Sequence, residues 1–322
     1  SKAFGLLILG YVVWVAGSLH ILPNTRLSIL STLGLLAVAS GVLFYKRRGE
    51  ILSGLRPLLA YILAAEVLFA VFFLGWAILR SYTPAITHTE QPMDFAFLNA
   101  SYRARFFPPA DPWLSGFSVS YYYFGYLMVS VLAKISALPI SVAYNLGLAL
   151  FGALAALGAS GIAYNLVRKC GGSQKAAVGI GAVAAVFLVV LGNLEGGMEL
   201  AYAHGLGSRE LWLGLGFPGL DPASRLAQVP YGSVQWFPTE HWWWWQSTRI
   251  LDGGGAISEF PFFSFMLGDL HPHVMALPFT LLSAAMGANL FWERRAIGLR
   301  SHLVFLVALA VALGGLAFIN TW

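Results

Sequence analysis

The sequence predicts an all-helical integral membrane protein that crosses the bilayer several times. Hydrophobic residues make up 58% of the 322 residues and charged residues only 10%, whereas soluble domains usually carry about 25% charged residues. The mean hydropathy is +0.72. Apolar runs of roughly 20 residues recur along the chain, and a helix of that length crosses the hydrocarbon core of a bilayer. A water-soluble globular protein is therefore excluded.

Seven strong apolar runs predict about seven transmembrane helices. They lie at residues 3–21, 27–45, 57–79, 140–167, 176–193, 274–292 and 303–318. A weaker run, residues 119–136, contains three consecutive tyrosines, and aromatic side chains favour the membrane–water boundary. We interpret this run as one interfacial or re-entrant helix, and the alternative is an eighth full span.

Lysine and arginine predict the orientation, because cytoplasmic loops retain positive charge. Three basic connections contain Lys46, Arg47, Arg48 and Arg56; Arg168, Lys169 and Lys175; and Arg294, Arg295 and Arg300. All three lie on the cytoplasmic side if residues 119–136 do not cross. The N-terminus is then inside, and two long loops, residues 80–139 and 194–273, are outside. The net charge of +5 does not predict nucleic-acid binding, because these basic residues sit between apolar runs.

The chain divides by pattern into an N-terminal helix pair, residues 1–55, and a larger membrane domain, residues 56–322. We expect the natural chain to continue after residue 322, because the sequence stops directly after an apolar run. Glu66 lies inside the run 57–79, where an ionisable side chain is either a functional candidate or a packing contact between helices.

Two carboxylates of the first outer loop, Glu90 and Asp94, are the candidate catalytic residues. They lie four positions apart, shortly after a predicted span. A carboxylate just outside the membrane can deprotonate an acceptor hydroxyl or bind a divalent cation. The alternative for Asp94 is an N-cap at the start of a helix.

Arginine and aromatic residues are the candidate substrate-binding groups. Arg103, Arg105 and Arg249 could hold a lipid phosphate, because a guanidinium group matches phosphate oxygens in bidentate fashion. The alternative for Arg103 and Arg105 is contact with headgroups or balancing the charge of Asp111. Trp244 belongs to a run of four tryptophans that suits either a platform for a sugar or prenyl chain or a plain aromatic belt. Tyr122, in the centre of the tyrosine triplet, is a further candidate.

A candidate metal site lies just before the run 274–292. Asp269, His271 and His273 alternate, so their side chains point the same way if the segment is extended. One carboxylate and two imidazoles can bind a divalent metal such as Mn, Mg or Zn. The alternative is capping of the following helix together with hydrogen bonding to neighbouring loops.

Three motifs resemble the YYY-motif membrane protein family, a domain of unknown function in large bacterial and archaeal membrane proteins. They are Pro92-Met93-Asp94-Phe95-Ala96-Phe97, Tyr121-Tyr122-Tyr123-Phe124-Gly125-Tyr126 and Gly268-Asp269-Leu270-His271-Pro272-His273. The resemblance covers most of the chain from about Glu66 onward. It implies a multi-pass protein of a prokaryotic plasma membrane.

The layout from Pro57 to Lys169 is also loosely similar to the opening of membrane glycosyltransferases with the C-type fold. That resemblance implies transfer of a sugar from a polyprenyl-phosphate carrier on the non-cytoplasmic side, with Asp94 as base or metal ligand. The chain departs from the commonest pattern of that class because Glu90 and Asp94 are not adjacent. The alternatives are a transporter or lipid-binding protein, and a non-catalytic scaffold subunit.

Overall fold

The computed structural model describes residues 1–192, 194–215, 245–249, 257–292 and 299–320, and this part of the chain is helical, without strands. An isolated antiparallel bridge joins Ala110 and Ser118. The predicted all-helical class is confirmed. The helices are, in chain order, α1 (Lys2–Ser18), α2 (Arg26–Leu55), α3 (Leu59–Tyr82), α4 (Gln91–Arg103), α5 (Phe124–Ser136), α6 (Ile140–Lys169), α7 (Gln174–Val186), α8 (Leu194–Ala203), α9 (Arg209–Gly214), α10 (Pro261–Leu267), α11 (Pro272–Trp292) and α12 (Leu299–Ile319).

Several of these helices are suited to a bilayer. By length and composition, four helical segments of the described chain can cross a membrane: Arg26–Tyr82, Ile140–Lys169, Gln174–Leu191 and Pro272–Trp292. Three shorter apolar helices accompany them, at Lys2–Ser18, Phe124–Ser136 and Leu303–Ile319. A multi-pass membrane protein agrees with these helices, and the count of seven crossings stays a prediction.

The longest of the four segments, Arg26–Tyr82, includes the predicted spans 27–45 and 57–79. The basic stretch between these two spans is predicted from its charge to be a loop. The 57 residues from Arg26 to Tyr82 would extend about 86 Å if straight. Residues 46–56 are helical, interrupted only by non-helical backbone angles at Arg47 (φ −116°, ψ 20°). The loop prediction was wrong here because Lys, Arg and Glu are good helix formers. Pro57 is tolerated because it lies in the first turn of a short 3-10 helix.

The α5 helix is short and enclosed by protein. Its 13 residues rise about 20 Å, less than the roughly 30 Å of hydrocarbon in a bilayer. Every residue from Phe124 to Val131 is buried. It begins after the tyrosine triplet rather than containing it, so the triplet lies in the irregular segment that leads into α5.

The chain divides into two compact units, residues 1–186 with 268–322, and residues 187–267. In the first unit, α4 and α5 run side by side in the same direction. Asp94 contacts Tyr126 near one end, and the ammonium group of Lys134 lies 5.1 Å from the ring centre of Tyr102 near the other. Glu66 forms an ion pair with Lys2 at 3.0 Å, so it links α3 to α1.

The second unit contains α8, α9 and α10. The rings of Tyr202 and Trp212 meet edge to face with centroids 6.5 Å apart. The Trp212 indole N–H donates to the carbonyl of Leu206 at 2.8 Å. These contacts close the turn between α8 and α9 over a small hydrophobic cluster.

Candidate functional site

The candidate site lies in the first unit, where the start of α4 meets the segment that precedes α11. The buried side chain of Gln91 fixes the turn before α4. Its carbonyl oxygen accepts hydrogen bonds from the backbone N–H groups of Thr87 at 3.2 Å and His88 at 3.4 Å. Pro92 follows in the first turn, where its missing N–H costs no helical hydrogen bond.

Asp94 points into the protein from the first turn of α4. Its side chain is fully buried, and the Tyr126 hydroxyl donates to Oδ1 at 2.5 Å. Oδ2 has no hydrogen-bond partner in the described part of the chain. The N-cap interpretation was wrong, because α4 begins at Gln91 and Glu90 occupies the cap position without a side-chain cap bond.

The environment of Asp94 favours its protonated form. Burial raises the pKa of Asp94 to about 8, the Tyr126 hydrogen bond works in the opposite direction, and the charges of Asp269 and Glu90 raise it further. A carboxyl group with a pKa near neutrality can both give and take a proton under working conditions. Buried acids with such shifted pKa values are candidates for functional sites.

The thermal stability of the protein is expected to fall as pH rises from about 5 to 8. The folded chain keeps the Asp94 proton up to about pH 8, whereas an exposed aspartate has an ordinary pKa of 3.8. The folded state therefore binds more protons in this range, and each pH unit lowers the free energy of unfolding by about 1.4 kcal/mol. Melting midpoints in detergent at pH 5, 6, 7, 8 and 9 measure this trend.

Two asparagine variants separate Asp94 from other titrating groups. Asp94→Asn removes this titrating group and should make the decline in melting midpoint shallower, while the buried Glu199, whose pKa burial raises to about 9, keeps part of the decline. Asp111→Asn should keep it, because an asparagine oxygen can still accept from the backbone N–H groups of Trp113 and Leu114, which Asp111 binds at 2.9 Å. An equally steep decline in Asp94→Asn would show that Asp94 is not the group responsible.

Two contacts join the turn before α4 to the segment before α11. The Thr89 hydroxyl lies 2.7 and 2.9 Å from the two carboxylate oxygens of Asp269 and donates to them. Nε2 of His271 lies 2.8 Å from a carboxylate oxygen of Glu90. The structure thus brings together Glu90, Asp94, Asp269 and His271, four of the residues singled out in the sequence.

Arg80, at the end of α3, lies beside this site. Its guanidinium is buried, and Nε and Nη2 donate to Oδ1 of Asn145 at 2.9 and 2.7 Å. Gly268 lies directly against it with φ +83°, and a Cβ atom there would overlap Nη1 of Arg80. Only glycine allows the chain to pass this close to the guanidinium at this positive φ.

Tyr144 of α6 also holds this segment. Its hydroxyl accepts from the backbone N–H of Leu270 at 3.0 Å and donates to the carbonyl of Gly268 at 3.3 Å. Backbone groups on both sides of Asp269 are therefore fixed by one side chain. The position of the Asp269 carboxylate follows from that restraint.

The three predicted metal ligands do not all lie on one extended segment. Because α11 begins at Pro272, the extended backbone that the alternation assumed ends at His271, and His273 lies in the first helical turn. The two imidazole rings have centroids 5.3 Å apart. In the described residues, no three His, Cys, Asp or Glu side chains are placed to hold one ion. A metal at Asp269, His271 and His273 stays a prediction.

The predicted substrate-binding residues belong to different parts of the chain. Arg103 is exposed at the last turn of α4, about 14 Å along the helix from Asp94. Arg105 is exposed, with its guanidinium carbon 5.6 Å from the Phe106 ring centre. Arg249 belongs to the second unit, where it lies over the Trp245 ring at 4.9 Å. Trp244 lies outside the described residues.

An aromatic layer lies between Asp94 and the tyrosine triplet. The Phe97 ring stacks on Tyr121 with centroids 5.0 Å apart and on Tyr126 at 5.9 Å. Burial, and then the charges of Asp94 and Glu90, raise the pKa of Tyr121 to about 12. Tyr121 is therefore a neutral hydroxyl group close to the candidate acid.

Sequence reasoning missed Tyr126, Arg80 and Tyr144. Tyr126 belongs to the tyrosine motif, but nothing in the sequence separates it from its neighbours as the partner of Asp94. Arg80 stands at the end of an apolar run, where a basic residue usually anchors a helix at the interface. A tyrosine inside an apolar run, such as Tyr144, gives no signal of a polar role.

Comparison with known proteins assigns the chain to one protein family. The family model described as uncharacterized membrane protein (DUF2298) matches residues 8–322. No curated protein matches the chain, and no solved structure does.

Proposed function

The chain belongs to the DUF2298 family of membrane proteins, and in that membrane setting we propose that it is a glycosyltransferase. It moves a sugar from a polyprenyl-phosphate carrier to an acceptor hydroxyl on the non-cytoplasmic side. The reaction class comes from the similarity of layout to C-type-fold enzymes. The outer location comes from the distribution of lysine and arginine, and a prokaryotic plasma membrane from the family motifs.

The observation that carries the proposal is the buried carboxyl group of Asp94. Its Oδ1 is held by Tyr126, and its Oδ2 is left without a hydrogen-bond partner in the described residues. A pKa of about 8 lies close to the pH at which an acid–base catalyst is most effective. One oxygen is thus fixed in place, while no hydrogen bond from the described residues competes with a proton at the other.

The transfer step needs one proton acceptor and one leaving group. The acceptor hydroxyl oxygen attacks the anomeric carbon of the sugar, and the bond from that carbon to the phosphate oxygen breaks. Polyprenyl phosphate leaves with the electron pair, and the acceptor proton passes to ionised Asp94. Asp94 must therefore be deprotonated for the step, so its rate rises as pH increases through about 8.

Other residues position this reaction. The Glu90–His271 and Thr89–Asp269 contacts hold the site together, and Glu90 is the second carboxylate beside Asp94. The proposed phosphate-binding groups are Arg103, Arg105 and Arg249, and the proposed sugar contacts are Tyr122 and Trp244. A divalent metal at Asp269, His271 and His273 is a separate proposal, and no step above passes through it.

Release of polyprenyl phosphate tests the reaction directly. Membrane vesicles containing the chain receive polyprenyl phosphates that carry radiolabelled glucose, mannose, N-acetylglucosamine or arabinose. We expect label to leave the lipid carrier, with release of polyprenyl phosphate, about tenfold faster than in vesicles without the chain. The endogenous acceptors in the vesicles take up the sugar.

Two outcomes would overturn the proposal. If none of the four donors loses its sugar faster than in control vesicles, the chain is not a transferase of this class. If intact donor crosses the membrane without loss of its sugar, the chain is a transporter. In that case the labelled donor is enclosed by the vesicle, and a glycosidase added outside does not release the label.

A further inference from the structure

An aromatic cleft opens beside the candidate site in the first unit. It has a volume of about 540 Å³, within the range of roughly 300–1,000 Å³ typical of small-molecule sites. Ser120 lies at its edge. Six aromatic side chains line it: Trp14, Tyr121, Tyr122, Tyr123, Phe124 and Phe318. We refer to these residues with Ser120 as the tyrosine cleft.

Contacts inside the tyrosine cleft fix its rings in place. The Trp14 indole N–H donates to the Tyr123 hydroxyl at 2.9 Å, and the Trp14 ring packs on Phe318 with centroids 4.5 Å apart. Tyr121 and Tyr122 are tilted at 54° to each other, with centroids 5.3 Å apart. The cleft therefore offers rigid apolar ring surfaces together with hydroxyl groups.

A chain of packed aromatic rings connects the tyrosine cleft to Asp94. Tyr121 lines the cleft and stacks on Phe97. Phe97 also contacts Tyr126, whose hydroxyl donates to Asp94. Asp94 itself is fully buried and does not line the cleft, so the rings of Phe97 and Tyr126 separate a molecule in the cleft from the carboxyl group.

A second cleft in the same unit has a different chemical character. Its volume is about 580 Å³, and aliphatic side chains of α1, α2, α5 and α6, such as Leu9, Leu36 and Leu132, line most of it. Such a surface suits a hydrocarbon chain, which needs no hydrogen bonds. The tyrosine cleft instead pairs aromatic faces with polar groups, the combination that binds ligands with an apolar face and a hydroxylated edge.

We propose that the tyrosine cleft binds a pyranose ring of the acceptor, so that the acceptor is a saccharide. This assignment rests on the proposed transferase function, in which the acceptor hydroxyl must reach Asp94. The C–H face of a pyranose packs on the rings of Tyr122 and Trp14, and its hydroxyl groups bond to tyrosine oxygens.

Saccharide binding can be measured without catalysis. The purified chain in detergent is titrated with mannotriose, maltotriose, cellotriose and chitotriose, and saturation-transfer NMR reports the bound sugar. We expect at least one trisaccharide to bind, and Tyr122→Ala to weaken that binding at least tenfold. Tyr122→Phe, which keeps the ring, should weaken it less.

Tyr82→Ala is the matched control, because Tyr82 is a highly exposed tyrosine outside the cleft. It should bind the trisaccharide like the unmodified chain. Melting midpoints show whether each variant is folded. If no trisaccharide binds, or if Tyr122→Phe and Tyr122→Ala, both folded, bind it unchanged, the cleft is not an acceptor site.

The two experiments give different results if the saccharide-binding assignment of the cleft is wrong and if the transferase proposal is wrong. Donor consumption without Tyr122-dependent saccharide binding would overturn the cleft assignment and leave the transfer reaction standing. Tyr122-dependent binding without consumption of any donor would overturn the transfer reaction and leave a saccharide-binding membrane protein. The acceptor role itself fails in that second case.

Discussion

Asp94→Asn is expected to lower the rate of polyprenyl phosphate release at least 100-fold. Asparagine has nearly the same shape and keeps an oxygen that accepts from Tyr126, but it cannot take up the acceptor proton. General base catalysis contributes about 10²- to 10⁴-fold to a rate. Initial rates of label release in vesicles with equal amounts of protein measure the loss.

The pH dependence provides the control for this variant. The rate of the unmodified chain should rise about tenfold per pH unit below pH 8 and level off above it, because only ionised Asp94 accepts a proton. The residual rate of Asp94→Asn should lack that rise. Asp111→Asn, in the same predicted outer loop, should match the unmodified chain. A rate above one-third of normal in Asp94→Asn would rule out the assigned role.

Gly268→Ala is expected to destabilise the first unit by about 3 kcal/mol or more. A left-handed backbone costs a residue with a Cβ atom about 1–2 kcal/mol. The new atom would also overlap Nη1 of Arg80 and lie 2.9 Å from its Cζ. Arg80 cannot swing away easily because Asn145 holds two of its nitrogens. The melting midpoint should drop by roughly 6 °C or more.

Gly116→Ala separates backbone strain from the steric clash. Gly116 has almost the same φ, +86°, but a Cβ atom added there would meet nothing within 4 Å. It should therefore lose only about 1 kcal/mol, from strain alone. Equal losses for Gly116→Ala and Gly268→Ala would mean that the close approach to Arg80 contributes nothing.

Features of the fold that depend on residues adjacent in the chain could be predicted from the sequence. All seven apolar runs contain helix in the structure, because an apolar run of this length has few other ways to satisfy its backbone in a membrane. The basic stretch around Arg47 shows the limit of this reasoning. Its charge predicts a loop, yet the residues there are good helix formers and the helix continues through them.

Several residues of the candidate site could be predicted from their residue type, but the contacts between the site residues could not. Glu90, Asp94, Asp269 and His271 stand out because ionisable residues are rare in this chain. Their partners do not stand out, because Tyr126 lies 32 residues from Asp94 and its role depends on how α4 packs on α5. The helical start at Pro272 likewise could not be located from an alternation of polar residues.

The contact between Thr89 and Asp269 joins residues 180 positions apart, and this separation has a consequence for biosynthesis. At about 5–20 residues per second, a ribosome needs roughly 10 to 35 seconds to travel from one to the other. During that interval the nascent chain already contains Arg80, but not Gly268, whose backbone lies directly against the Arg80 guanidinium in the folded protein. The Arg80 guanidinium must therefore be shielded by translocation machinery or by water until that segment is made.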